Sequence, residues 1–180
     1  IEDGRITQSY ETDVNPNERL DEHIKQLTGL TDARLKKAPE FAQVAKEIFE
    51  LIEDAVFVAH NVKFDANLLA EALFWEGFEL TTPRIDTVEL SQIFYPTIER
   101  YNLGALAAEL EIELHHAHSA LADAMATAQL LLKLREKIAS LPRGLIEKLL
   151  SMADCLIYES RLLIEDALED SSLFLPDHLV

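Results

Sequence analysis

The chain has 180 residues, 48% of them apolar, and carries 33 acidic against 16 basic side chains for a formal net charge of −17. That length suits one compact domain, or one domain with an appendage, and the apolar share is too high for a disordered polymer. The charge argues against a protein that coats long stretches of DNA, since such binding draws on Lys and Arg. It leaves room for one in which divalent cations bridge carboxylates to a few phosphates.

No apolar run approaches the roughly 18 residues of a membrane-spanning helix, so no membrane partner is expected. No basic-then-apolar leader opens the sequence. It starts not with Met but at Ile1, within strand-like sequence, which suggests a fragment. The lone Cys155 cannot form an intrachain disulfide. That fits a reducing cytosol, and Cys155 reads as a small apolar residue on a helix face.

In chain order, residues 5–14 alternate weakly and read as an edge strand that ends at the Asn15-Pro16 turn signal. Two short helices over 20–27 and 31–37 flank Thr28-Gly29. Pro39 reads as the first residue of a helix with Phe41, Val44, Ala45, Ile48 and Ile52 at helical spacing. Residues 55–59 (AVFVA) read as a strand buried on both faces. A helix over 64–76 follows, presenting Leu68, Leu69, Ala72 and Leu73 and closed by Gly77.

Arg84-Ile85-Asp86 is a second short strand, with Asp86 or Thr87 capping a helix that stops before Pro96. Asn102 caps a helix to about 111. The longest helix covers 119–139 with a seam of Leu121, Met125, Ala128, Leu131, Leu132 and Ile138. Pro142 breaks the chain, and 144–169 read as one amphipathic helix. Alternating strands and helices give an α/β fold, with a domain over 1–141 and a helical extension or connector over 142–180.

Three segments carry candidate chemistry. In His60-Asn61-Val62-Lys63-Phe64-Asp65 a buried strand runs out into a helix, the place where open α/β sheets bind ligands. Asp65 would stand at the positive end of that helix, which favours its ionised form, or would merely cap it. In His118-Ser119-Ala120-Leu121-Ala122-Asp123, a Ser119 cap leaves His118 in the preceding loop, free to fold back toward Asp123. A mobile imidazole beside a fixed carboxylate suits phosphodiester hydrolysis, which needs a cation on carboxylates and a base for water. Asp86 reads as a structural cap, accessory to the site. His115 and His116 lack zinc-site spacing and read as loop residues.

At these residues the chain resembles the DnaQ-like exonucleases of the DEDDh group. Asn61, Phe64 and Asp65 match that family's second motif, His118 and Asp123 its His-x4-Asp motif, and Asp86-Thr87 its strand-ending Asp-Thr. VNP at 14–16 and HIKQLTGLTDARLKKAP at 23–39 match the segment ahead of the second motif. The similarity runs over residues 1–140 and is nearest to the exonuclease domain at the N-terminus of bacterial DinG-type helicase-like proteins.

The resemblance implies a ribonuclease H-like mixed sheet flanked by helices. It implies a 3′–5′ exonuclease that trims single-stranded nucleic acid, DNA above RNA, to nucleoside monophosphates with two Mg²⁺ or Mn²⁺ ions. Asp65 and Asp123 would be metal carboxylates and His118 the base. Asn61, Phe64 and Thr28 would meet substrate, and a helicase module of the same parent chain would follow.

The family's first motif, a buried strand ending in Asp-x-Glu, is not found: Glu2-Asp3 has no apolar strand before it and Glu11-Thr12-Asp13 reverses the order. Its absence implies weak metal binding and low activity, in a chain cut short of its parent's first strand. The alternative is a non-catalytic nuclease-like binding module of a DinG-type protein.

Overall fold

The computed structural model describes residues 1–114 and 119–171. The chain opens in a turn at residues 2–5 and irregular backbone, not in the edge strand expected over 5–14. A strand needs a neighbour to take its N–H and C=O groups, and among the described residues only the isolated bridges Glu2–Arg5 and Asn15–Glu40 form here. Side chains hold the segment instead. Tyr10 donates its hydroxyl to Glu47 at 3.1 Å, and Arg34 grips Asp13 through two nitrogens, Nη2 at 2.8 Å.

The Thr-Gly-Leu-Thr segment is a helix stop followed by a helix start. Helix α1 (Glu22–Thr28) ends at Gly29, whose φ of +72° lets its N–H reach back to the Lys25 carbonyl. Two residues later the Thr31 hydroxyl accepts the Arg34 N–H and caps α2 (Asp32–Leu35). Helix α3 (Phe41–Ile52) is capped by Glu40, whose N–H donates to the Gln43 side chain at 2.9 Å. Pro39 therefore precedes the cap and is not the first helical residue, as the sequence had suggested.

Strand β1 (Phe57–Ala59), helix α4 (Val62–Trp75) and strand β2 (Arg84–Asp86) form a βαβ unit, the two strands paired parallel with Phe57 beside Arg84 and Ala59 beside Asp86. This is the only sheet among the described residues. With one neighbouring strand, β1 is half-buried on average, not covered on both faces as its apolar run implied. Helix α4 buries Val62, Ala66 and Leu73 and leaves Leu68 61% exposed. Of the expected face, Leu73 is fully buried, Leu69 packs on the smaller core cluster and Ala72 is half-buried, so only Leu68 departs from it. The helix is apolar on most sides, and its neighbours choose between them. Gly77 follows α4 with φ +87°, as expected of its position.

Helix α5 (Thr87–Phe94) is capped by Asp86, and α6 (Leu103–Glu109) by Asn102, both as read from sequence. Helix α7 (Ala120–Ala139) starts after Ser119 and is the spine of the core. Its buried line is Ala126, Thr127, Leu130, Leu134 and Ile138; of the expected seam only Ile138 belongs to it. Alternate helical neighbours explain this, because α5, α6 and α9 (Arg161–Ser171) all pack on α7 and a wide apolar surface offers several seams.

The expected single helix over 144–169 is instead α8 (Arg143–Ser151), a 3-10 turn at Ala153–Cys155, and α9. Cys155 sits exposed in that turn, not on an apolar helix face. Ile146, Leu163, Ile164 and Ala167 from these last helices share one cluster with Ile85, Leu90, Leu106, Leu130 and Leu134. Each fully buried Leu or Ile contributes about 1.5–3 kcal/mol, so this joint cluster anchors the C-terminal helices. A second, smaller cluster holds Ala45, Leu73 and Leu80, with Phe49 stacked on Phe78 at 4.9 Å. No helix among the described residues is long and apolar enough to cross a membrane.

Candidate active site

Three polar side chains gather at the carboxyl ends of β1 and β2. The parallel register that sets Ala59 beside Asp86 puts the next residues, His60 and Thr87, side by side. His60 Nδ1 lies 2.9 Å from the Thr87 hydroxyl and Nε2 lies 2.7 Å from the Tyr101 carbonyl oxygen. A carbonyl only accepts, so Nε2 carries the proton, and Nδ1 competes with the Ala59 carbonyl, 3.3 Å away, for the single Thr87 O–H proton. Burial pushes the His60 pKa below its ordinary value, against the opposing pull of the Tyr101 carbonyl and the Asp86 charge. The ring is therefore neutral at neutral pH and both its nitrogens are occupied.

Asp86 is 5% exposed and lies between two helix starts. Its Oδ1 accepts Val88 N–H at 2.8 Å and Asn61 N–H at 3.2 Å, and its Oδ2 accepts Val62 N–H at 3.1 Å. Asn61 is left-handed (φ 71°, ψ 59°), a conformation Asn tolerates better than most residues. Its side chain does not cap α4. Instead it lines a surface groove of about 400 Å³ with Lys63, Phe64, Asn67, Leu68 and Glu71. Phe64 is 68% exposed there.

Asp65 lies in the first turn of α4 but is not its cap. Its pKa is raised, first by desolvation among the atoms packed near it and also by the negative charge of Asp86; its own backbone N–H pulls the other way. The expected dominance of the helix terminus is thus reversed. A carboxylate open to solvent on one side and beside another negative charge is chemically suited to a divalent cation.

Asp123 stands in the first turn of α7, half-buried, its backbone carbonyl accepting the Thr127 hydroxyl at 2.8 Å. Helix α7 packs against β1. Among the described residues the charge felt by Asp65 is that of Asp86, and no group of three or more His, Cys, Asp or Glu is placed to hold a metal ion. His118, with His115 and His116, lies outside the described residues. Ser119 takes the cap position expected of it, although its hydroxyl makes no cap bond.

Thr28 is engaged locally: its hydroxyl donates to the Ile24 carbonyl at 2.7 Å and accepts from Leu30 N–H at 3.2 Å. The part the sequence did not single out is the His60–Thr87 pair. Its signal was present, two polar residues that directly follow adjacent parallel strands.

Carboxylates stand at the carboxyl ends of parallel strands in a helix-rich α/β domain, the place where open α/β sheets bind ligands, and the fold is ribonuclease H-like. The fold agrees with that of a solved structure, Exonuclease X in complex with 5′ overhanging duplex DNA, with a TM-score of 0.60, 24% identity, and coverage of 74% of this chain and 76% of that one.

The chain belongs to the exonuclease family RNase_T, which matches residues 1–131. It is 37% identical over 150 residues to the 3′-5′ exonuclease DinG of Bacillus subtilis, covering 83% of this chain and 16% of that protein. To the DinG of Staphylococcus haemolyticus it is 34% identical over 160 residues, 88% of this chain and 18% of the relative. To the PolC-type DNA polymerase III of Halalkalibacterium halodurans it is 41% identical over 132 residues, 73% of this chain and 9% of the relative. The chain thus spans less than a fifth of the length of these curated relatives.

Proposed function

We propose that this chain is the exonuclease module of a longer, DinG-like protein and that it trims single-stranded nucleic acid from the 3′ end to nucleoside monophosphates. The observation that carries the reading is the placement of Asp65 in the first turn of α4, beside Asp86. Asp65 lies just beyond the carboxyl end of β1, solvent-accessible, with its pKa raised by desolvation and by Asp86. A carboxyl group in that setting gains most from a cation brought in with a phosphate.

In this reading Asp65 and Asp123 hold Mg²⁺ or Mn²⁺, which when bound supplies charge neutralisation at the scissile phosphate. Two carboxylates are a sufficient protein share for Mg²⁺, which keeps waters and takes phosphate oxygens for the rest. His118, preceding the Ser119 cap, accepts the proton of the attacking water. Asn61 and Phe64 line the groove beside Asp65, where an exposed ring offers a terminal base a stacking surface and the amide a hydrogen bond. Thr28 adds a weaker substrate contact. With no Asp-x-Glu pair among its residues, this chain binds the cation weakly and turns over slowly.

The test is shortening of 5′-labelled single-stranded DNA and RNA, side by side, with Mn²⁺ or Mg²⁺. The chain should shorten DNA slowly from the 3′ end, and Asp65→Asn and Asp123→Asn should each abolish this. The rival, a non-catalytic binding module, predicts retention of the labelled strand without shortening. That result must persist when an Asp-x-Glu strand is supplied ahead of Ile1 for the rival to prevail.

A further inference from the structure

We infer that Asp86 is the positioning residue of this site: its two oxygens fasten the N-termini of α4 and α5 to each other and thereby set where Asp65 and Asn61 stand. The inference rests on the reading of Asp65 as a cation-binding carboxylate and assigns no cation contact to Asp86.

A helix start leaves N–H groups that its own turns cannot satisfy, and a residue at the cap position normally accepts one of them. Helix α5 follows that rule, with Asp86 accepting from Val88. Helix α4 does not. Its cap residue, Asn61, is left-handed and offers no side-chain bond to the helix, so the task falls to a residue 24 positions away. The one carboxylate serves both helices, taking Val62 N–H on Oδ2 and Asn61 and Val88 N–H on Oδ1.

Two consequences follow for the site. First, capping by Asp86 releases the Asn61 amide, which lines the groove with Lys63, Phe64 and Asn67. Second, Asp65 lies three residues beyond Val62, less than one helical turn, so any pivot of that first turn carries the carboxylate with it. A displacement of about 1 Å at a reacting group costs on the order of a hundredfold in rate. Asp86 is itself buried, and its oxygens are taken up by backbone donors. Besides the negative charge it presents to Asp65, its influence passes through the backbone, and Val62 exchange reads that part alone.

The discriminating variant is Asp86→Asn. It keeps an acceptor for Val88 and Asn61 at Oδ1 but sets an amide NH₂ against the Val62 N–H, breaking that bond alone. Two readouts are taken by NMR on the intact chain. Val62 amide exchange should accelerate at least tenfold, while amides at Leu106 and Leu130 keep their rates. Mn²⁺ broadening of Asp65 should require about tenfold more metal.

Should Asp86→Asn fail to fold, the same readouts apply in Asn61→Gly, where glycine adopts the left-handed turn freely, against the Asn61→Gly/Asp86→Asn double variant. An unchanged Val62 exchange rate, or an unchanged Mn²⁺ midpoint despite faster exchange, overturns the positioning role. If Mn²⁺ fails to broaden Asp65 even in the parent, the reading of Asp65 as a metal carboxylate falls instead, and Val62 exchange still decides the clamp.

Discussion

Glu159 covers the edge of β2 at Arg84: its carboxylate accepts the Arg84 N–H at 2.8 Å, and its own N–H donates to the Arg84 carbonyl at 3.0 Å. One residue thus gives Arg84 the pair of bonds that a neighbouring strand would give. An exposed strand edge is a template for unwanted pairing, and covering it is a common remedy. Ile157 strengthens the docking by donating its N–H to Glu89 at 2.8 Å.

Glu159→Ala removes the acceptor and leaves the Arg84 N–H to solvent. The loss should be about 1 kcal/mol, the net worth of one hydrogen bond, read as a shift of the urea midpoint. Glu159→Gln keeps a side-chain oxygen and should stay within half of that loss. Equal midpoints for the parent and the alanine variant would show that the contact carries no stability.

Ile146 tests whether the C-terminal helices unfold with the rest. It is fully buried in the cluster that also holds Leu90, Leu130 and Ile164. Ile146→Ala should cost about 2–5 kcal/mol, the range for emptying such a site, and the whole transition should move as one. Two separated transitions, with only the first displaced, would mean that the helices after Pro142 melt independently.

Which parts of this fold were legible in the sequence follows from how local their causes are. The caps at Asp86, Asn102 and Ser119 and the stop at Gly77 were readable because each depends on a few adjacent residues. The βαβ unit was readable because the short runs AVFVA and Arg84-Ile85-Asp86 bracket a long apolar helix; the strands Phe57–Ala59 and Arg84–Asp86 bracket Val62–Trp75. The buried face of α4 was legible only in part, Leu73 buried but Leu68 exposed, and that of α7 hardly at all, since both helices are apolar on several sides and only their neighbours select a seam. Likewise the shared clamp of Asp86 joins positions 24 and 25 residues apart, and a strand register must be known before it can be seen.

His60 makes the fold sensitive to mild acid. Its folded pKa lies below the ordinary value, with burial as the largest cause. The unfolded chain takes up a proton near pH 6.5, the folded chain only at lower pH. The contribution is therefore complete above about pH 6.5 and is lost as the pH falls toward the folded value. The parent should lose more thermal stability between pH 7.5 and 5.5 than His60→Gln does, by differential scanning calorimetry. Parallel pH dependences in the two proteins would show that His60 does not titrate in this way.

His118 provides the sharpest test of the chemistry, because the proposed base is chemically replaceable while the carboxylates are not. In a chain given an Asp-x-Glu strand ahead of Ile1, His118→Ala should lower turnover on single-stranded DNA by about a hundredfold, the scale of a lost general base. The pH profile should change as well. The parent should lose rate as acid protonates the imidazole, whereas the alanine variant should lack that limb. Binding of the labelled strand should be nearly unaffected, since the residue acts on the attacking water and not on the base or sugar. Parental turnover in the variant, with the acid limb intact, would assign the proton transfer to another group.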